Sequence, residues 1–198
     1  MSRTKVSVKA AYWDLARTVN LEPDPLIYAP GIPAGLQAQL LRCLNAGHEE
    51  AYQANEWEDA WEDGTLTVTS NIIANSAIGD ASRYTLWSAD PRPTGSSAYA
   101  IPHTTSSDGI YIQDSSASVF GFWLPAPTLF TDLTSTTPVI LESIAPAVID
   151  LAAAEYYRTT DQEEKAARRE ASGLSRLEKR WAVEFQRVAR KFWIRVYL

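Results

Sequence analysis

Cysteine and histidine are scarce in this sequence, with one cysteine and two histidines among 198 residues. The single Cys43 cannot form an internal disulfide, and no Cys/His cluster has the spacing of metal ligands. We therefore expect neither a disulfide nor a metal site. Hydrophobic residues make up 45% of the chain, which is enough for a sizeable core. Cohesion must come from packing or from partners.

Long apolar runs are also missing. The N-terminal residues 1–15 contain no extended apolar segment after their basic residues. No window of the sequence approaches the roughly 18 apolar residues of a membrane-spanning helix. These absences predict a chain that is made in the cytoplasm and has no membrane partner.

Positive charge is in deficit over most of the chain, whose formal net charge is −6. A net acidic chain is a poor candidate for wholesale binding to nucleic acid or acidic lipid. The charge is unevenly divided, however. Residues 1–160 hold 8 basic and 18 acidic side chains, net −10, whereas residues 161–198 hold 10 and 6, net +4.

The usual catalytic and nucleotide-binding motifs are absent. The sequence contains no G-x-x-x-x-G-K-[ST] or G-x-G-x-x-G phosphate loop and no G-x-S-x-G nucleophile elbow. Its two imidazoles, His48 and His103, have no adjacent catalytic context, so we interpret both as ordinary surface histidines rather than as catalytic bases. The sequence predicts a protein that is not an enzyme, with no catalytic residue and no cofactor.

Hydrophobic periodicity predicts an α+β fold, a bundle of about four helices with a small antiparallel β insertion. A short helix is predicted over residues 6–20, and a proline-rich loop follows to Pro33. A second helix is predicted over 33–61, from apolar residues at three- and four-residue steps. Residues 64–131 are rich in β-branched and aromatic residues and in turn signals, which indicates short strands.

A helical part is predicted over 137–198, within a single domain that spans 1–198. Thr137 and Pro138 resemble an N-cap and a first-turn proline, and Pro146 would then kink or split the helix. From Asp161 onward the chain is strongly amphipathic. Its apolar residues recur at core spacing, while basic residues occupy another face; the apolar set is Leu174, Leu177, Trp181, Phe185, Val188 and Phe192.

Acidic residues and tryptophans alternate in residues 49–63, where seven carboxylates accompany Trp57 and Trp61. Paired carboxylates beside tryptophan occur in glycosidase sites. The alternative, which we favour, is a solvated acidic helix face whose tryptophans pack against the sheet. A carbohydrate-binding or hydrolytic accessory module is therefore kept as a second hypothesis.

The basic C-terminal helix could bind nucleic acid, with Trp181, Phe185 and Trp193 as stacking platforms. A basic stripe on an acidic chain is weaker support than a basic domain, so an acidic protein partner is favoured. In residues 192–198 apolar side chains fall on every side of the helix. Such a patch usually marks an interface, although the segment could instead fold back and complete the core.

Several segments together resemble the head-to-tail connector, or portal adaptor, proteins of tailed phages and gene transfer agents. The likeness spans about residues 33–190, and its motifs are patterns rather than signatures. The segments that carry it are residues 41–45, 51–52, 56–61, 88–92, 108–110, 125–127, 152–158 and 162–166. The proline-rich lead before residue 33, the Pro146 break and the large β insertion depart from the family's pattern. They leave open whether the chain is an adaptor or a neighbouring neck protein.

The resemblance implies a structural virion protein that forms a ring under the portal, as a homo-oligomer of twelve copies. Its implied partners are the portal protein and a stopper or other tail-side neck protein. DNA would pass through the ring without sequence-specific binding, and an acidic wall would suit that passage. The C-terminal helix would dock on the portal through Trp181, Phe185, Val188, Phe192, Trp193, Ile194, Val196, Tyr197 and Leu198.

Overall fold

The structure is a computed structural model that describes residues 4–21, 33–55, 57–79, 81, 83–87, 102–113 and 118–196. Side chains are described in these ranges as far as Phe185, except at positions 58, 84, 85 and 87. The predicted α+β class is confirmed. Within the described residues the chain forms four α-helices and small antiparallel sheets of two or three strands.

The chain divides into two compact units. One, the helical unit, comprises Met1–Asp59 and Pro127–Leu198, and the other, the sheet unit, comprises Ala60–Ala126. The helical unit contains the elements β1 (Lys5–Ser7), α1 (Val8–Thr18), α2 (Ala34–Gln53), β8 (Pro138–Leu141), α3 (Ala145–Thr159) and α4 (Glu163–Val196).

Helix α1 begins where Ser7 caps it, because the Ser7 hydroxyl accepts a hydrogen bond from the Ala10 amide at 3.2 Å. Its apolar face, which includes Tyr12 and Leu15, is buried. Just before it, β1 pairs antiparallel with β8, with Val6 opposite Ile140. This short pairing ties the two distant segments of the helical unit together.

Helix α2 ends at Gln53, so the prediction that it runs to Trp61 is wrong. The fully buried Trp57 explains the early end. Its indole N–H donates to the carbonyl of Ala51 at 2.9 Å. That carbonyl is one of the last four of the helix, which have no partner within it. The indole takes the place of the next helical amide, and the chain turns away.

Helix α3 begins at Ala145, so the predicted start at Thr137 and Pro138 is wrong. Pro138 instead opens strand β8, at the first residue of a strand, where a missing amide is tolerated. Pro146 lies in the first turn of α3, where its amide would have had no helical partner in any case. It therefore starts the helix and does not kink it.

Helix α3 is the centre of the helical unit and packs against α1, α2 and α4. Its alanines and Gly47 of α2 allow close approach. A Cβ added at Gly47 would lie 2.6 Å from the backbone nitrogen of Ala152 and 2.7 Å from the carbonyl oxygen of Val148. The glycine is required by this contact between two helix backbones, not by its own dihedral angles.

The strands of the sheet unit are β2 (Glu62–Thr67), β3 (Ile72–Ala74), β4 (Arg83–Trp87), β5 (His103–Ser106), β6 (Gly109–Ile112) and β7 (Ser118–Leu124). They form two three-stranded antiparallel sheets, in the orders β2-β7-β4 and β3-β6-β5. The core of the unit is formed by one face of each sheet and includes the fully buried Ile73, Leu86 and Ile110.

No helix among the described residues combines the length and the apolar composition needed to cross a bilayer.

Candidate interaction surface on helix α4

Helix α4 is much longer than the helix it packs against. It has 34 residues, whereas α3 has 15. At 1.5 Å per residue these lengths are about 51 Å and about 22 Å. Less than half of α4 can therefore lie alongside α3.

The buried face of α4 is narrow and includes few apolar side chains. It consists of Ala166, Gly173, Leu177 and Glu184, which follow one another at steps close to the helical period. A Cβ on Gly173 would lie 2.9 Å from Cγ of Leu151, so small residues allow α4 to approach α3 closely. Of the apolar residues with helical spacing that have described side chains, only Leu177 belongs to this buried face.

Asp150 of α3 is the main polar contact of this packing. Its carboxylate is 5% exposed and accepts from Arg169 Nη1 at 3.0 Å, Ser172 Oγ at 2.8 Å and Arg176 Nε at 2.8 Å. A buried carboxylate is costly unless its charge is met by donors. Three donors from α4 meet it here, and they fix the rotation of α4 about its own axis.

Arg180 makes a second group of ion pairs further along α4. Its Nη2 lies 3.0 Å from Oδ2 of Asp59 and 2.7 Å from Oε1 of Glu184, a side chain that is only 3% exposed. Arg176 and Arg180, which the sequence assigned to a basic face, thus pair with acids of their own chain. Sequence reasoning missed Asp150 and Glu184. The signal for Asp150 was a lone acid within the apolar run Ile144–Ala154.

A second face of α4 exposes large apolar side chains. We call Leu174, Trp181 and Phe185 the apolar stripe; they are 42%, 40% and 62% exposed. The rings of Trp181 and Phe185 lie 6.5 Å apart, at an angle of 42°. These residues recur along α4 at the spacing typical of a buried helix face. The apolar stripe nevertheless lies outside the core of the helical unit.

The side chains of the remaining residues predicted to bind a partner are not among those that the structure describes. Helix α4 includes positions 188, 192, 193, 194 and 196 in its backbone, but their side chains are not among those described. These are Val188, Phe192, Trp193, Ile194 and Val196. Tyr197 and Leu198 follow the last described residue.

His48 is a buried core residue, so its interpretation as a surface histidine is wrong. It is 2% exposed, and its ring lies 4.7 Å from that of Phe130 and 5.8 Å from that of Tyr52. Burial lowers the pKa of His48 to about 4, although a hydrogen bond to the backbone of Thr128 raises it slightly. The imidazole is therefore neutral at pH 7. His103 is exposed on β5 of the sheet unit, as expected.

The acidic and tryptophan-rich stretch is divided between the two units. Trp57 is buried in the helical unit, whereas Trp61 in the sheet unit stacks on Phe122, with ring centres 4.8 Å apart and planes 7° apart. Asp59 is paired with Arg180. The side chains of Glu56 and Glu58 lie outside the described residues. Trp57 is thus unavailable to a ligand, whereas the Trp61–Phe122 pair presents aromatic surface.

A shallow cavity of about 220 Å³ lies between α1, α2 and residues 131–134. Asp132 lines it, but its carboxylate already accepts from the amide and the hydroxyl of Thr134, each at 2.8 Å. These bonds lower the pKa of Asp132. The acid stabilises its own turn.

Metal ligands are not gathered anywhere in the described residues, where no group of three His, Cys, Asp or Glu side chains could hold an ion. The fold and this surface define a mixed α+β protein with an exposed apolar helix face. Protein-family models and curated proteins were compared with the chain, and none matches it.

Proposed function

We propose that this chain is a structural virion protein, a head-to-tail connector that forms a ring under the portal of a phage-like particle. The ring would hold twelve copies and link the DNA-filled head to a stopper or another neck protein on the tail side. The proposal begins from the resemblance of the sequence to connector proteins. It assigns the chain a binding role, without chemistry of its own.

The apolar stripe is the observation that carries the proposal. In an isolated chain these three large side chains stay in contact with water. A partner that covers them would gain the favourable free energy of burying apolar surface. Aromatic side chains such as Trp181 are typical anchors of protein interfaces, each contributing about 2 kcal/mol or more when buried by a partner. Helix α4 is about twice as long as α3, so part of α4 extends beyond α3 and could bind to a portal.

The pattern of charge also supports a connector. The acidic excess of residues 1–160 would give a ring a negative surface, along which DNA can slide without being held. The basic residues of α4 offset this only in part, since the net charge of the whole chain remains −6. Three of them, Arg169, Arg176 and Arg180, are paired with carboxylates of the same chain.

The decisive measurement is quantitative mass spectrometry of purified particles from the source culture. We expect this chain and the portal protein in equal copy number. A major capsid protein provides the internal standard for particle recovery. Absence of the chain from intact particles would overturn the connector proposal.

A carbohydrate-binding role is the second candidate, and the stacked Trp61–Phe122 pair is the observation that favours it. Phe122 is 39% exposed, and Asp63, opposite it on β2, is exposed too. Sugars bind to such aromatic platforms beside carboxylates. Titration with oligosaccharides, followed by tryptophan fluorescence, tests this role. A saturable change that is lost in Trp61→Ala would move the assignment to this candidate.

A further inference from the structure

The exposed face of α4 has a 3.5-residue repeat. The positions 167, 171, 174, 178, 181 and 185 alternate steps of four and three, and the same steps continue in sequence to 188, 192 and 195. We call these nine positions the α4 seam. All six that have described side chains are exposed. A repeat of 3.5 residues is typical of a helix that packs along a second helix in a coiled coil, with alternate positions named a and d.

The residues beside the seam are suited to close helix packing. Ser175 and Ala182, each at the e position that follows a d position, are small and would let a second backbone approach. On the other side, Leu177 and Glu184 are buried within the helical unit. The seam is therefore bordered by small residues on its open side and by the protein's own packing on the other.

The seam carries two charges, and they have opposite signs. Glu178, an exposed side chain, occupies an a position, and Arg195 occupies a d position. The two lie at equal distances in sequence from the midpoint between residues 186 and 187. In an antiparallel pair of helices centred on that midpoint, each a position faces a d position of the other helix.

We infer that a second copy of this chain covers the seam from Glu178 onward, with its α4 antiparallel. In this register Glu178 faces Arg195 of the second copy, Trp181 faces Phe192, and Phe185 faces Val188. A parallel pair would instead place Glu178 against Glu178, and like charges across an interface are strongly disfavoured. The opposite signs of the two seam charges therefore select the antiparallel arrangement.

This pairing goes beyond the proposed connector role and does not depend on it. If the chain is a connector, the portal would displace the second copy from the same residues. The free protein is then a dimer in which Trp181 and Phe185 are covered until docking. Mass spectrometry of particles tests the connector role, and the experiment below tests the pairing alone.

A charge exchange tests the pairing directly. Sedimentation equilibrium of the full chain is expected to give a dimer. Glu178→Arg and Arg195→Glu, made singly, should each raise the dimer Kd by about tenfold or more, since each places like charges together. The double variant restores the opposite pair and should return Kd to within about threefold of the original.

Lys179→Glu is the matched control, because Lys179 is exposed one position away from the seam, and its Kd should not change. A chain that is monomeric at all concentrations would overturn the inference. So would single variants without effect, a double variant that stays dissociated, or assembly beyond two copies.

Discussion

At the scale of single residues, Asp150 stabilises the packing of α4 against α3 through several contacts at once. Its carboxylate is 5% exposed and receives three donors from α4. We expect Asp150→Asn to reduce the free energy of unfolding by about 2 kcal/mol, below the usual loss for a broken buried pair because the arginines are partly exposed. Urea denaturation monitored by circular dichroism measures it.

Glu164→Gln is the control for that substitution. Glu164 pairs with Arg168 on the same helix, but both side chains are more than three-quarters exposed. Surface pairs of this kind contribute less than about 0.5 kcal/mol. Equal losses in the two variants would contradict the role assigned to Asp150.

Gly47 is the second residue whose effect on stability can be predicted. An added methyl group would meet the backbone of α3 at 2.6 Å, and backbone atoms cannot move aside as a flexible side chain can. We expect Gly47→Ala to cost about 2 kcal/mol through separation of α2 and α3. Thermal unfolding tests this against Gly35→Ala, where nothing lies within 4 Å and helix propensity favours alanine. The prediction fails if both variants unfold at the same temperature.

His48 makes stability depend on pH in a defined direction. Its pKa is about 4 in the folded chain and 6.5 in the unfolded one, so the unfolded state binds the proton first as pH falls. The contribution of His48 to the free energy of unfolding is therefore at its full value above pH 6.5. It declines as pH falls from 6.5 to 4, by on the order of 3 kcal/mol. Carboxylates titrate nearby, so the measurement is the difference between the original chain and His48→Gln. No difference in slope would contradict it.

At the scale of elements, patterns of neighbouring residues correctly predicted the features that depend on short stretches of sequence. Short strands were predicted over residues 64–131, and β3 to β7 lie within those bounds. The amphipathic character of α4 was evident from spacing alone. The errors came from the packing of a buried side chain and from a strand pairing distant in sequence. The end of α2 depends on where the Trp57 indole packs, and Pro138 lies in a strand because β1 pairs with β8.

The candidate surface shows the same limit at a larger scale. Spacing identified Trp181 and Phe185, but it could not decide which face of α4 would be buried. That choice is made by Asp150 and by Gly173, one a charge that must be met and the other a residue small enough for close contact. A scale of hydrophobicity ranks neither residue as a core former.

Removal of residues 190–198 tests whether the end of α4 is needed for the fold. The described ion pairs that anchor α4 to the rest of the helical unit involve its residues Arg169, Glu170, Arg176 and Arg180, all well before the deletion. We expect the truncated chain to unfold at nearly the same urea concentration as the full chain and to lose binding to its partner. Unfolding of the truncated chain would instead assign these residues to its own core.

At the scale of the whole molecule, the balance of charge predicts how the chain meets DNA. Its net charge is −6, and three arginines of its basic segment are paired internally. Counterion release therefore offers little free energy for binding a duplex. We expect no detectable binding to double-stranded DNA at about 0.15 M salt in a fluorescence-anisotropy titration, with a basic DNA-binding protein as positive control.

The salt dependence separates this expectation from a nucleic-acid-binding role. If α4 bound phosphates through its basic residues, affinity would appear at low salt and fall by about a thousandfold or more between 50 and 200 mM. That result would show that the internal ion pairs open to contact DNA. Weak binding that does not change with salt would instead suit the wall of a channel through which DNA moves. A surface that binds each phosphate tightly cannot also release it quickly.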